Sequence, residues 1–309
     1  MERMNEPAIW SRRQTLRLFL ASALAPGVLV AAARSPRVGL ALGSGGARGL
    51  AHLLVFELLD DLGVRPYRIS GSSIGAVMGS LYAAGLSGAD IRQLLNRLTV
   101  ASDERWIDSL LKEDLMRWFT FLEPTLRGGG IIKSEAFSRF LEEAAGISRF
   151  DELAIPLRVV ATDYWEREMV VFESGELWPA VQASMAMPGL FRPVKHADRL
   201  LVDGGLTNPV PFDLLPECDI VIGVDVLGVR TADATDPDPS SLDNIFNTFQ
   251  IMQASILREK LRQGEPDFLI RPEVRDIRVM DFHRFEDILS QSKPALSGLE
   301  SGLKKRLER

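Results

Sequence analysis

The chain has 309 residues, 46% of them hydrophobic and 25% charged, and a net charge of −6. That balance is globular, allows one large α/β domain or two small ones, and leaves no broad basic footprint for nucleic acid. A single cysteine, Cys218, excludes an internal disulfide, and the three histidines, His52, His196 and His283, form no spacing that suits a zinc site.

The amino terminus reads as an export signal. Ser11-Arg12-Arg13 and Arg17 precede an uncharged run, Leu18 to Ala33, ending in the small residues Ala31-Ala32-Ala33. That is the order of a secretory signal, and the Arg12-Arg13 pair is similar to a twin-arginine motif, although Thr15 stands where the motif favours a large apolar residue. Residues 1–33 are therefore expected to direct the protein to the periplasm or beyond. An uncleaved inner-membrane anchor, or a disordered leader on a cytoplasmic protein, is the alternative. Pro26 and Gly27 interrupt the run, which is short for a spanning helix.

From Arg37 onward, apolar strand patterns alternate with helical ones. Residues 37–42 predict a buried strand that passes through Gly43-Ser44-Gly45-Gly46 into a helix over 47–62, stopped by Gly63. Residues 67–70 predict a second strand, followed at once by Gly71-Ser72-Ser73-Ile74-Gly75 and another helix. Further strands are expected over 157–163, 168–173, 199–203, 219–226 and within 267–272. Near-continuous apolar strands separated by helices suggest a partly parallel sheet covered on both faces. Residues 231–241, with two prolines and three aspartates, read as a surface loop; 242–262 and 280–309 read as helices. Cys218 reads as an apolar thiol beside a strand.

Three glycine-bearing turns carry chemistry. In the first, Gly71 and Gly75 flank Ser73 at a strand-to-helix turn, the setting that thrusts a serine oxygen out above a sheet and near a positive helix end. A turn that merely caps a helix has the same pattern. The second, residues 43–49, presents successive backbone amides at a helix start, which suits a phosphate loop or an oxyanion hole. Leu50-Ala51 stands where a phosphate loop wants Lys followed by Ser or Thr, and no acidic residue ends the next strand as a dinucleotide fold requires. The oxyanion hole is favoured, with Gly45 and Gly46 as donors and Arg48 adding positive charge. The third turn, Asp203-Gly204-Gly205, follows a strand. Asp203 reaches the rim of Ser73 if the strands are parallel; alone it reads as an Asp-Gly turn.

Together these turns resemble the patatin-like phospholipase family. The segment Ala183-Ser184-Met185-Ala186-Met187-Pro188 through Phe191-Arg192-Pro193 is similar to a fourth motif of that family, and the resemblance runs from about Val38 to Pro211. It departs at Ser44, where the family often has glycine. The resemblance implies a three-layer α/β/α fold with a central, mostly parallel sheet. It implies one catalytic domain over 34–309, with the motifs in 38–213 and a strand and helices in 214–309. It also implies a Ser73–Asp203 dyad, an acyl-enzyme, a lipid or acyl-ester substrate, and neither metal nor organic cofactor. The chain order Ser73, Asp203, His283 also fits an α/β-hydrolase triad. A lipid-binding or regulatory protein without turnover is the rival class.

One stretch adds to the lipid expectation. Trp106, Ile107, Leu110, Leu111, Leu115, Trp118, Phe119 and Leu122 recur at helical spacing, as in a helix that lines an acyl groove, touches a membrane surface transiently, or packs on the core. Gly128-Gly129-Gly130 after it reads as a loop or a lid hinge. Lys133 and Arg192 read as surface charges within reach of a lipid head group.

Overall fold

A computed structural model describes residues 35–100, 135–228 and 241–307. The export pattern, the 106–122 stripe, the glycine run, Lys133 and most of the 231–241 loop lie outside the described residues. Residues from Pro36 onward form one unit.

Strand β1 (Val38–Leu42) leads through the first glycine turn into a 3-10 helix, Gly46–Ala51, and then α1 (His52–Asp61). The single helix expected over 47–62 is thus two elements. The Ala47 amide is held by the Val279 carbonyl at 2.7 Å, which tightens the first turn. Strand β2 (Arg68–Ser72) and α2 (Ile74–Ala83) flank Ser73, and α3 (Gly88–Val100) follows. Then come α4 (Glu135–Ala145), β3 (Leu157–Asp163), β4 (Met169–Phe172) and α5 (Leu177–Ser184). Next are β5 (Val194–His196), β6 (Arg199–Asp203), β7 (Ile220–Val224), α6 (Ser241–Gln263) and β8 (Phe268–Ile270). The expected carboxyl-terminal helix is broken into α7 (Phe285–Ser292) and α8 (Ser297–Leu307), joined by a 3-10 turn that holds Pro294.

Among the described residues the sheet has eight strands. β3, β2, β1, β7 and β8 run parallel to one another, while β4, β5 and β6 are antiparallel to their neighbours. Strand side chains alternate between two apolar layers. Leu40, Leu42, Ile222 and Val224 face a large core built with Leu53, Phe56 and Leu59 of α1 and Leu177 and Val181 of α5. Ala41 faces a smaller core with Val210, Phe212 and, from α6, Leu257. The result is a three-layer α/β/α fold with a mostly parallel central sheet.

One register decides where the site lies. Val160 of β3 pairs with Ser72 of β2 on one side and Val171 of β4 on the other. The next residue, Ala161, pairs with Asp203 of β6 and Val170 of β4. Strands β2 and β6 therefore share one edge of β3 and run toward each other along it. Their carboxyl ends meet at adjacent rungs, Ser72 and Asp203. The condition that Asp203 needs a parallel strand is corrected: β6 is antiparallel, and the head-on meeting of two strand ends brings Asp203 to Ser73.

Candidate active site

Ser73 sits between the last residue of β2 and the first of α2, with φ 55° and ψ −124°. A non-glycine residue is rarely held there, and such backbone strain persists only where packing enforces it. The enforcement is visible at Gly75, where a β-carbon would run into the Leu42 carbonyl of β1. At Gly71 it would meet the Gly75 carbonyl oxygen at 2.6 Å. With neither side chain present, α2 closes onto the sheet directly after Ser73.

The Ser73 hydroxyl donates to Asp203 Oδ2 at 2.6 Å. The other carboxylate oxygen, Oδ1, accepts from the Gly205 amide at 2.7 Å. Asp203 is 1% exposed. Burial pushes its carboxyl up to about 6, while the bonds from Ser73 and the Gly205 amide pull it down only in part. A carboxylate so raised is a better base than a free aspartate, and it directly faces the hydroxyl whose proton it would take.

The segment carrying the fourth motif braces both groups. The Ser73 amide donates to the buried Ser184 hydroxyl at 2.9 Å, and the Asp203 amide donates to the Ala186 carbonyl at 3.0 Å. Thr162 Oγ1 donates to the Asp203 carbonyl at 2.8 Å. Ser184 is thus a positioning residue that local pattern did not mark, although it lies in a stretch already noticed for its resemblance. Gly204 is wedged against the Val160 carbonyl, where no side chain would fit.

The glycine turn lies against the same corner. Three of its amides are engaged: Gly43 with the Val224 carbonyl, Ser44 with the Pro209 carbonyl, and Ala47 with the Val279 carbonyl. Among the described residues, the Gly45 and Gly46 amides donate to no protein acceptor. Arg48 takes a different place from that of a free charge. It is buried, and its Nε donates to the Ile277 carbonyl at 3.0 Å, tying the turn to the carboxyl-terminal segment. His52 is buried within α1, with Nε2 2.9 Å from the Gly43 carbonyl. A carbonyl only accepts, so Nε2 carries the proton. Burial lowers the imidazole to about 4, which keeps it neutral at physiological pH.

The remaining candidates lie apart from this chemistry. His283 is exposed on a 3-10 turn, Phe282–Arg284. Both Asp203 oxygens are already taken, by Ser73 and by Gly205, so no imidazole stands between carboxylate and hydroxyl. His283→Ala is expected to keep its ester turnover within about threefold of wild type, measured as kcat/KM on a chromogenic ester. His196 ends β5 at the surface, edge-on to Phe172. Arg192 is exposed. Cys218 packs beside Gly39, and burial pushes its thiol up to about 11, which disfavours the thiolate.

A family model for patatin-like phospholipase matches residues 40–216. The chain belongs to the patatin-like phospholipase family. The matched span begins in β1 and holds all three turns and the bracing segment. An uncharacterized NTE family protein of Mycobacterium bovis is 36% identical over 219 residues, which cover 70% of this chain and 56% of that protein. Lysophospholipase NTE1 of Yarrowia lipolytica is 25% identical over 274 residues, 81% of this chain and 18% of that one. The chain thus spans about half the length of the mycobacterial relative, and much less of the yeast one. Among solved structures, VipD from Legionella pneumophila is similar with a TM-score of 0.46 and 14% identity, covering 85% of this chain and 67% of that one.

Proposed function

We propose that this patatin-like protein is a serine acyl hydrolase acting on lipid esters, with Ser73 as nucleophile and Asp203 as the only general base. The observation that carries this reading is the 2.6 Å bond from the Ser73 hydroxyl to a buried carboxylate. Ser73 Oγ attacks the ester carbonyl while its proton passes to Asp203 Oδ2. The Gly45 and Gly46 amides receive the charge that develops on the carbonyl oxygen. The tetrahedral centre then expels the alcohol, which takes the proton from Asp203 and leaves an acyl group on Ser73. Water gives a proton to Asp203 and attacks the acyl carbon. The C–Oγ bond breaks, Oγ regains the proton, and a fatty acid departs. The patatin-like phospholipase family and the relative Lysophospholipase NTE1 support lipid as the substrate class.

The test is product analysis on defined phospholipids, lysophospholipids and triacylglycerols. Free fatty acid released by wild type and absent with Ser73→Ala is the expected result; no acyl release from any of the three classes counts against the reading. The Arg12-Arg13 pattern supports export of the mature chain, which amino-terminal sequencing of the native protein checks.

A further inference from the structure

Ser44 and Gln253 have no part in the mechanism so far, yet both are buried beside it. Ser44 belongs to the glycine turn and is 2% exposed. Gln253 belongs to α6, on the opposite layer of the fold, and is 3% exposed, while its neighbours Ile251 and Met252 face solvent. The two side chains converge on the α-carbon of Gly205: a β-carbon there would collide with both Ser44 Oγ and Gln253 Nε2. The same point lies 3.0 Å from Asp203 Oδ1. Among the described residues, Ser44 Oγ has no hydrogen-bond partner, and the Gln253 carboxamide makes no hydrogen bond to the protein.

A buried hydroxyl left unpaired, as Ser44 Oγ is, costs roughly 1–3 kcal/mol. That hydroxyl and the Gln253 carboxamide, beside a carboxylate, form a site that a small O–H group completes. Such a group accepts from the carboxamide, exchanges a hydrogen bond with the serine hydroxyl, and can donate to the carboxylate. A buried water typically wants about three such partners.

We propose that Ser44 and Gln253 hold the water that hydrolyses the acyl-enzyme, with Asp203 as the acceptor of its proton. The proposal rests on the acyl-hydrolase reading above and adds two water-positioning residues to it. In this step the water O–H breaks toward Asp203, the water oxygen bonds to the acyl carbon, and the C–Oγ bond breaks as Oγ regains the proton. Gly205 is required as a glycine because these two side chains occupy the space a β-carbon would take. Ser44 supplies one of the two polar contacts.

The test uses the full-length protein and a p-nitrophenyl acyl ester. Its leaving group departs without a proton, so acylation does not need an O–H site, and kcat/KM reports acylation alone. With Gln253→Leu and with Ser44→Ala, kcat is expected to fall about 10- to 100-fold and KM to fall with it. Their kcat/KM is expected to stay within about twofold of wild type. Intact-mass measurement is expected to show an acyl adduct on Ser73 that persists in the variants and clears quickly in wild type. A kcat/KM that drops in step with kcat, or constants that do not change, overturns the proposal. If Gln253→Leu does not fold, Ser44→Ala decides alone, since it removes one oxygen and adds nothing. Absence of any Ser73 adduct in wild type and variants alike counts against the hydrolase reading itself.

Discussion

Ser73→Ala is expected to lower acyl-ester turnover by about 10⁴-fold or more while leaving the fold intact. The hydroxyl is the one that bonds the buried carboxylate where β2 and β6 meet, and it forms the new bond to the acyl carbon. Removing it deletes the covalent route, and the Gly45 and Gly46 amides alone provide only residual acceleration. Stability should fall slightly at neutral pH: alanine at φ 55° is no more strained than serine, but the buried Asp203 carboxylate loses a hydrogen bond that favours its ionised form. Turnover on a chromogenic ester, beside a thermal melt of the same sample, checks both halves. Activity within tenfold of wild type removes Ser73 from the mechanism.

Asp203→Asn is expected to reduce turnover by about 10²–10⁴-fold and to abolish a pH step that wild type shows. The carboxyl is raised to about 6 by burial, and it must be ionised to act. Wild-type kcat/KM should therefore rise with pH through about 6 and level off above it, and the variant should be flat across that range.

The same shift carries a stability consequence of opposite sign to the usual aspartate. Below the ordinary value of 3.8 the carboxyl is protonated in both folded and unfolded chains, and burial costs nothing through ionisation. As pH rises from 3.8 to about 6 the unfolded chain releases the proton first, so stability is lost across that window. Above it, the gap between 3.8 and about 6 amounts to roughly 3 kcal/mol against the folded state. Asparagine keeps the shape without the charge: its oxygen can accept from the Gly205 amide, and its nitrogen can donate to Ser73. The variant should therefore melt higher than wild type at pH 8, by an amount that shrinks toward pH 4. An Asp203→Asn protein that is less stable at pH 8 would mean that the buried carboxylate is favourable as an ion, and the account of its basicity would fail.

How much of this was legible in the sequence depends on how local the cause is. Ser73 was legible because its two flanking glycines stand within two residues of it at a strand-to-helix turn, although the clash that demands Gly75 comes from Leu42 of β1. The strands at 157–163 and 199–203 were legible from continuous apolar runs, and the structure places them at those bounds. Strand β5 was not, because Lys195 and His196 face solvent and break the apolar pattern. Asp203 was legible as a turn aspartate, but its strand direction was not. Only the paired registers of β3 show that β6 runs head-on into β2. The bracing by Ser184 and Ala186 has no local signature; those residues matter through hydrogen bonds to positions 73 and 203. Gln253 was the least legible. It sits mid-helix beside exposed Ile251 and Met252, which hide the face it points to, and its proximity to Gly205 arises from α6 packing on the layer opposite α1 and α5. Arg48 shows the converse limit. Its place in the glycine turn suggested a charge for the oxyanion, but nothing local foretold that it is buried with Nε donating to the Ile277 carbonyl, a bond that leaves the charge in place.

The central claim is a serine activated directly by a buried aspartate. It is tested most directly by locating the adduct of a fluorophosphonate, which reacts with an activated serine and does not turn over. The account predicts one phosphonyl group on the peptide bearing Ser73, formed at similar rates in wild type and His283→Ala and far more slowly in Asp203→Asn. Label on any other residue, or undiminished labelling of Ser73 once Asp203 is asparagine, would contradict it.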